Sequence, residues 1–243
     1  MLARIFHTNR DSLITIIMKY PVCPLKTCSL QDKWLVFWVT KKNIMSSLSV
    51  LQKPSPSSQF DSSLASALAT FEQLKVLQPK IVQAAALLEN TLLAGQKLMI
   101  CGNGGSASDS AHIATEFTCR FCEDRRPYPA MAFTVDGGLM TAIGNDYHFE
   151  TVFQRQVAAF GKKGDLLIVL STSGNSRNLL LALEEAKERD IPTIAFLGKT
   201  GGFTTGVADL EILVPGTGTA RIQEAQKFLL HVLCEIVEER LPK

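Results

Sequence analysis

The sequence has no apolar stretch near the roughly 20 residues that a helix needs to cross a bilayer, which points to a soluble chain with no membrane partner. It also lacks the G-x-x-x-x-G-K-[ST] pattern with which a lysine-bearing loop holds a nucleoside triphosphate. Beyond residue 45 there is no basic excess: 18 Lys/Arg face 21 Asp/Glu, whereas residues 1–45 hold seven against two. The body of the chain is therefore not expected to bind nucleic acid. The basic start has no apolar h-region followed by a small-residue cleavage site, so it does not read as a secretory signal. Six cysteines stand at 23, 28, 101, 119, 122 and 234, with a single C-x-x-C from which Cys23 and Cys28 are too remote in sequence and too differently placed to argue a four-ligand zinc site. Such usage fits a reducing compartment, and the expected location is cytoplasmic.

Residues 1–59 differ from the rest. The first 45 sustain neither a helical nor an alternating period, and residues 46–59 have the Ser/Pro composition of a linker. The expectation is a basic, then Ser/Pro-rich extension, disordered or upstream of a start at Met45, followed by one domain over 60–243. From Phe60 the chain becomes regular. Residues 61–94 read as two amphipathic helices divided near Pro79. Short apolar runs at Lys97–Cys101, Ala130–Val135, Leu166–Leu170, Thr193–Leu197 and Leu210–Val214 then alternate with helical segments. The helices are expected from about Ser108, over Phe149–Phe160, over Asn175–Arg189 and over Ala220–Glu239. Alternation of this kind predicts an α/β three-layer sandwich around a mostly parallel five-stranded sheet. Ligands of such folds bind beyond the carboxyl ends of the strands.

Two strand-to-helix turns fall at that edge. Ser171-Thr172-Ser173-Gly174-Asn175-Ser176 follows a buried-type strand and carries four hydroxyls, where a helix N-terminus adds free N–H groups and a favourable dipole. That combination suits a phosphate monoester, although Ser and Asn are also ordinary helix caps. Cys101-Gly102-Asn103-Gly104-Gly105-Ser106 is a glycine-rich turn of a common kind. The helix after it carries His112 and Glu116 at i, i+4, which reads as a metal pair, an acid–base pair or a plain surface ion pair. The closing helix carries Gln223 and His231, about 80° apart around the axis, so both can line one cleft. A lone histidine on an apolar helix is otherwise a hydrogen-bonded core residue.

Taken together, these strings, with Gly144-Asn145-Asp146 and Arg221-Ile222-Gln223-Glu224 in the same order, resemble the sugar isomerase (SIS) domain family, and within it the phosphoheptose isomerases. The resemblance covers residues 60–241. It implies a flavodoxin-like fold with N-terminal helices used in oligomerisation, and a cytoplasmic homotetramer that interconverts D-sedoheptulose 7-phosphate and D-glycero-D-manno-heptose 7-phosphate through an enediol. By match, Ser171, Thr172, Ser173 and Ser176 would hold the phosphate. Asn103, Gly104, Gly105, Asn145, Asp146 and Gln223 would contact the sugar, and Glu116 would touch it as the base. His231 would act as acid/base at the oxygens. Some family members bind zinc through the positions of His112, Glu116, Gln223 and His231, so one Zn²⁺ per subunit is implied without being required, and no nucleotide cofactor is. Gln226, Ala107, Ser108 and Asp136-Gly137-Gly138 depart from many relatives. A non-catalytic adaptor of the family, which binds the bacterial replication initiator, lacks counterparts of Glu116 and His231. An isomerase of another ketose phosphate is the nearest alternative.

Overall fold

Two units divide the chain, Met1–Asp61 and Ser62–Lys243, in a computed structural model that describes residues 2–7, 13–20, 33–40, 53–216 and 218–242. The first unit contains an antiparallel sheet of β1 (Leu2–His7), β2 (Leu13–Tyr20) and β3 (Lys33–Thr40), in that order. Leu13 pairs with Thr40 and Tyr20 with Lys33. The Trp34–Val39 run, which shows no sustained period in sequence, lies in β3. Half of the expected Ser/Pro linker, residues 46–52, lies outside the described residues, and residues 56–59 already belong to a helix. Helix α1 runs Pro56–Glu72, because Ser55 Oγ accepts from Ser58 N at 3.1 Å and Pro56 stands where a helix tolerates proline.

In the second unit α2 (Gln78–Leu93) follows a 3₁₀ turn at Gln73–Leu77. The sheet comprises β4 (Leu98–Gly102), β5 (Ala130–Ala132), β6 (Leu166–Ser171), β7 (Thr193–Gly198) and β8 (Leu210–Val214). Its order is β5-β4-β6-β7-β8 and every pairing is parallel. Strands β4, β6 and β7 are buried at every position, which is why they read as unbroken apolar runs. Alternate side chains serve opposite faces. Leu98, Ile100, Ile168 and Phe196 pack under α2, α3 (Gly105–Thr118) and α7 (Thr219–Glu238). Met99, Cys101, Val169 and Ala195 pack under α4 (Gly137–Asp146), α5 (Val152–Phe160) and α6 (Arg177–Glu188). Burial pushes the thiols of Cys101 and Cys234 up, so both serve as apolar packing groups.

Three details differ from the sequence reading. Helix α3 begins at Gly105 rather than Ser108, since Gly104 takes φ +56° and turns the chain straight into the helix. Strand β5 stops at Ala132. Helix α4 arises between the expected strand ending at Val135 and the helix expected from Phe149, where no element is expected, because Asp136 caps it by accepting from Leu139 N at 2.9 Å. Among the described residues no helix is long and apolar enough to cross a membrane.

A buried charge cluster joins α3 to α7. Glu238, 8% exposed, accepts from the backbone N–H groups of Phe121, Cys122 and Glu123 at 2.9–3.2 Å and from Arg125 Nε at 3.3 Å. Arg125 in turn donates to the Glu116 and Phe117 carbonyls, which closes the C-terminal end of α3. Burial alone would raise the Glu238 carboxyl, but the three N–H donors and Arg125 outweigh it and hold it below the ordinary 4.5. Its stabilisation is therefore present above the unfolded-state value and is lost as pH falls through the folded one. Replacing Glu238 by Gln should cost about 2 kcal/mol at neutral pH and flatten the loss of stability as pH falls below the unfolded-state carboxyl value and through the folded one, measured by urea unfolding across acid pH. We also expect a chain lacking residues 1–44 to keep its melting temperature and its oligomer size by light scattering. Loss of either would show that the first unit supports the second.

Candidate active site

Helices α3 and α7 face each other through two groups of polar side chains. On α3, Asp109, His112 and Glu116 follow one another at i, i+3 and i+7, and on α7, Gln223, Lys227 and His231 at i, i+4 and i+8, so each set lies on one helix face. Nearer the glycine turn, Gln223 Nε2 donates to Asp109 Oδ2 at 2.8 Å and Lys227 Nζ lies 3.2 Å from Asp109 Oδ1. Asp109 is buried, and these cations and donors satisfy it. The Gln223 amide lies against Gly105, so close that a Cβ there would push it aside.

Farther along, His112 Nε2 stands 2.9 Å from His231 Nε2 and 3.1 Å from Glu116 Oε1. One of the two facing nitrogens must carry the proton. Placing it on His112 lets that N–H serve both neighbours and leaves His231 Nε2 as an acceptor beside the Glu116 carboxyl group. The opposite tautomer would set the His112 lone pair against the carboxylate. Phe121, at 6.0 Å between ring centroids, packs on the other side of His231, and the Glu238 contacts fix its backbone. The donor atoms of His112, Glu116 and His231 lie within 4.8 Å of one another, a spacing and a donor set that suit a divalent metal ion.

At the strand ends, the hydroxyl-rich turn is organised by its own side chains. Ser171 Oγ accepts from Gly174 N at 2.9 Å and Ser173 Oγ from Asn175 N at 3.2 Å, so each hydroxyl proton remains available for donation. Gly174, at φ +66°, sits so close to the Gly201 carbonyl that no Cβ fits. Thr172, Ser173 and Ser176 are half-buried and Ser171 is buried. Gln226, one of the departures from the family pattern, is buried and donates to the Phe196 carbonyl at 3.0 Å and the Ser171 carbonyl at 3.4 Å, tying α7 to the ends of β6 and β7. Asn103 and Asn178 exchange two amide hydrogen bonds of 2.9 Å each.

The chain thus brings His112, Glu116 and His231 together, and sets Gln223 beside Gly105 and Asp109. Asn145 and Asp146 bond to each other at 2.8 Å, exposed at the end of α4, whose layer covers the opposite sheet face. Glu116 lies 11 residues beyond Gly105, about 16 Å along α3, so the acid–base cluster and the turns occupy different ends of that helix. Asp109, Asn178 and Lys227 belong to the site and carry little signal in sequence. Asp109 shares the face of His112 and Glu116, a period that could have marked it. Asn178 is the second residue of α6, after Ser176 at the N-cap, and nothing in its own segment marks it.

The profile of the SIS domain family matches residues 62–198. A phosphoheptose isomerase of Clostridium acetobutylicum is 48% identical over 170 residues, 70% of this chain and 83% of that protein. Solved phosphoheptose isomerases from Neisseria gonorrhoeae and Francisella tularensis superpose with TM-scores of 0.72 and 0.74 at 38% and 36% identity, each covering 76% of this chain and all of theirs. The conjunction of an all-parallel sheet, a hydroxyl turn and a carboxylate–imidazole cluster with these likenesses makes the chain a member of the SIS domain family, and an isomerase.

Proposed function

We infer that the protein interconverts sedoheptulose 7-phosphate and D-glycero-D-manno-heptose 7-phosphate. The carrying observation is the convergence of Glu116, from α3, and His231, from α7, on His112. An aldose–ketose exchange needs a carboxylate that takes the proton from C1 of the ketose and returns it to C2, and a second group that moves a proton between O1 and O2. Glu116 is the base, and His231, with Nε2 unprotonated, takes the O1 proton of the enediolate and hands it to O2, so that return of the carbon-bound proton to C2 leaves the aldehyde at C1. Ser171, Thr172, Ser173, Ser176 and the first N–H groups of α6 hold the phosphate, with Asn103, Gly104, Gly105 and Gln223 along the sugar. The relatives' names support this substrate.

The working unit is a homotetramer. Leu68, Val76, Val82 and Phe228 leave large apolar side chains exposed on α1, α2, α7 and the 3₁₀ turn between α1 and α2, Val76 at 77%. The separation of the turns from Glu116 along α3 is bridged when a neighbouring subunit completes the cleft, and Asn145 and Asp146 are the residues such a neighbour would receive. Among the described residues four thiols are free, Cys101, Cys119, Cys122 and Cys234, which accords with a cytoplasmic location. His112, Glu116 and His231 would hold zinc, with Gln223 offering Oε1 as a fourth donor, and a bound zinc ion would supply Lewis-acid polarisation of the sugar oxygens.

In deuterated buffer with sedoheptulose 7-phosphate, NMR should show deuterium entering the transferred position as a heptose phosphate forms. Glu116→Gln should lower kcat by about 10²-fold or more with substrate affinity preserved. Normal turnover by that variant would remove Glu116 from the mechanism. Zinc should raise the melting temperature of the wild-type protein and not that of His231→Ala, followed by calorimetry. An equal shift in both would place the metal elsewhere.

A further inference from the structure

The crevice between β4 and β6 is where the sheet reverses direction, since the chain passes from β4 outward to β5 and then back across to β6. The two helices that start there diverge. Ile113 and Phe117 of α3 pack on one sheet face, and Leu179 and Leu183 of α6 on the other. The glycine turn and the hydroxyl turn therefore end on neighbouring strands but are carried by separate helical layers. Among the described residues, the side-chain hydrogen bonds that join these two turns are those between Asn103, directly after β4, and Asn178, in the first turn of α6.

Each asparagine donates through Nδ2 and accepts through Oδ1, both at 2.9 Å. An amide pair closed in this way fixes which end of each side chain is nitrogen and leaves each partner one N–H and one carbonyl lone pair. Asn178 is 3% exposed, whereas Asn103 is half-buried, so the remaining valences of Asn103 are the ones open to a ligand. The N-cap position of α6 belongs to Ser176, so Asn178 has no capping role there. Its amide instead reaches across the crevice.

We propose that Asn178 is a positioning residue for the phosphosugar: its amide holds Asn103 in one orientation and sets the spacing between the turn that grips the phosphate and the turn that lies along the sugar. The inference rests on the phosphosugar reading above. Its consequence is selective. Breaking the pair leaves Ser171, Ser173 and the α6 N–H groups in place, so the phosphate end alone is unaffected, while a ligand that spans both turns loses its fit.

The test compares the wild-type protein with Asn178→Leu, of similar size, Asn103→Ala and the double variant. Asn178→Ser serves in place of Asn178→Leu should that protein fail to fold. The readouts are calorimetric binding of inorganic phosphate, binding of sedoheptulose 7-phosphate, and kcat and KM. For Asn178→Leu we expect phosphate affinity within about twofold of wild type, and sugar-phosphate affinity and kcat/KM lower by about tenfold through KM. The double variant should be no weaker than Asn103→Ala, because one residue acts through the other. Equal losses for phosphate and sugar phosphate, or additive losses in the double variant, would overturn the proposal and leave Asn178 a folding residue. Wild-type protein that binds the sugar phosphate without isomerising it would overturn the catalytic reading alone, since the binding cycle still judges the pair. Wild-type protein that binds neither ligand would overturn both.

Discussion

The parallel pairing of β4 with β6 is the constraint on which the site depends. Gly102 stands opposite Leu170, so the glycine turn and the hydroxyl turn leave the sheet side by side, and the helices that follow present their free N–H groups there. A parallel pair cannot be closed by a hairpin, and the intervening chain must build α3, β5, α4 and α5 before β6 can be laid down. Those crossovers bury both faces of the sheet, which makes its edge of strand ends the exposed concave place where polar groups can gather.

A second constraint holds the acid–base pair. His112 and Glu116 stand on one helix and His231 on another, 115 residues beyond Glu116 in sequence, so their contact is only as good as the seating of α3 against α7. Leu229, Leu230 and Leu233 supply the apolar part of that seating, with Ile113 and Phe117 opposite. Apolar contact alone permits sliding. The fully bonded Arg125–Glu238 cluster fixes the far end and the Asp109–Gln223–Lys227 cluster the near end. Removing one member of either leaves a charge or an amide buried without its partner, a far larger penalty than the loss of a surface pair.

The sheet is legible in the sequence because strands buried on both faces must be apolar throughout, and Leu166–Leu170 or Leu98–Cys101 permit no other economical reading. The turns are legible because glycine and hydroxyl residues have few reasons to crowd together after such strands. Helix α4 is not, since two glycines after Asp136 look like a turn until the cap at Leu139 is seen. Arg125, Glu238 and Asn178 are invisible for a different reason. Each is an ordinary surface-type residue in its own segment, and only a partner 75 or 113 positions away makes it structural. Long-range polar pairs leave no periodic trace in sequence, whereas packing does.

The geometry also bears on how metal and proton transfer coexist at one place. Glu116 and His231 each bring to the cluster one atom that suits a metal, and on the proposed mechanism the same atoms are the ones that isomerisation needs free. A carboxylate oxygen bound to a divalent cation is a weaker base, since the metal competes for its lone pair. An ion held by His112, Glu116 and His231 would take the place of the proton that His112 shares with its two neighbours, and on the proposed mechanism the carboxylate keeps a second oxygen for the carbon-bound proton. His231 is then the point of competition, because its Nε2 can serve either a metal or the sugar oxygens, not both at once.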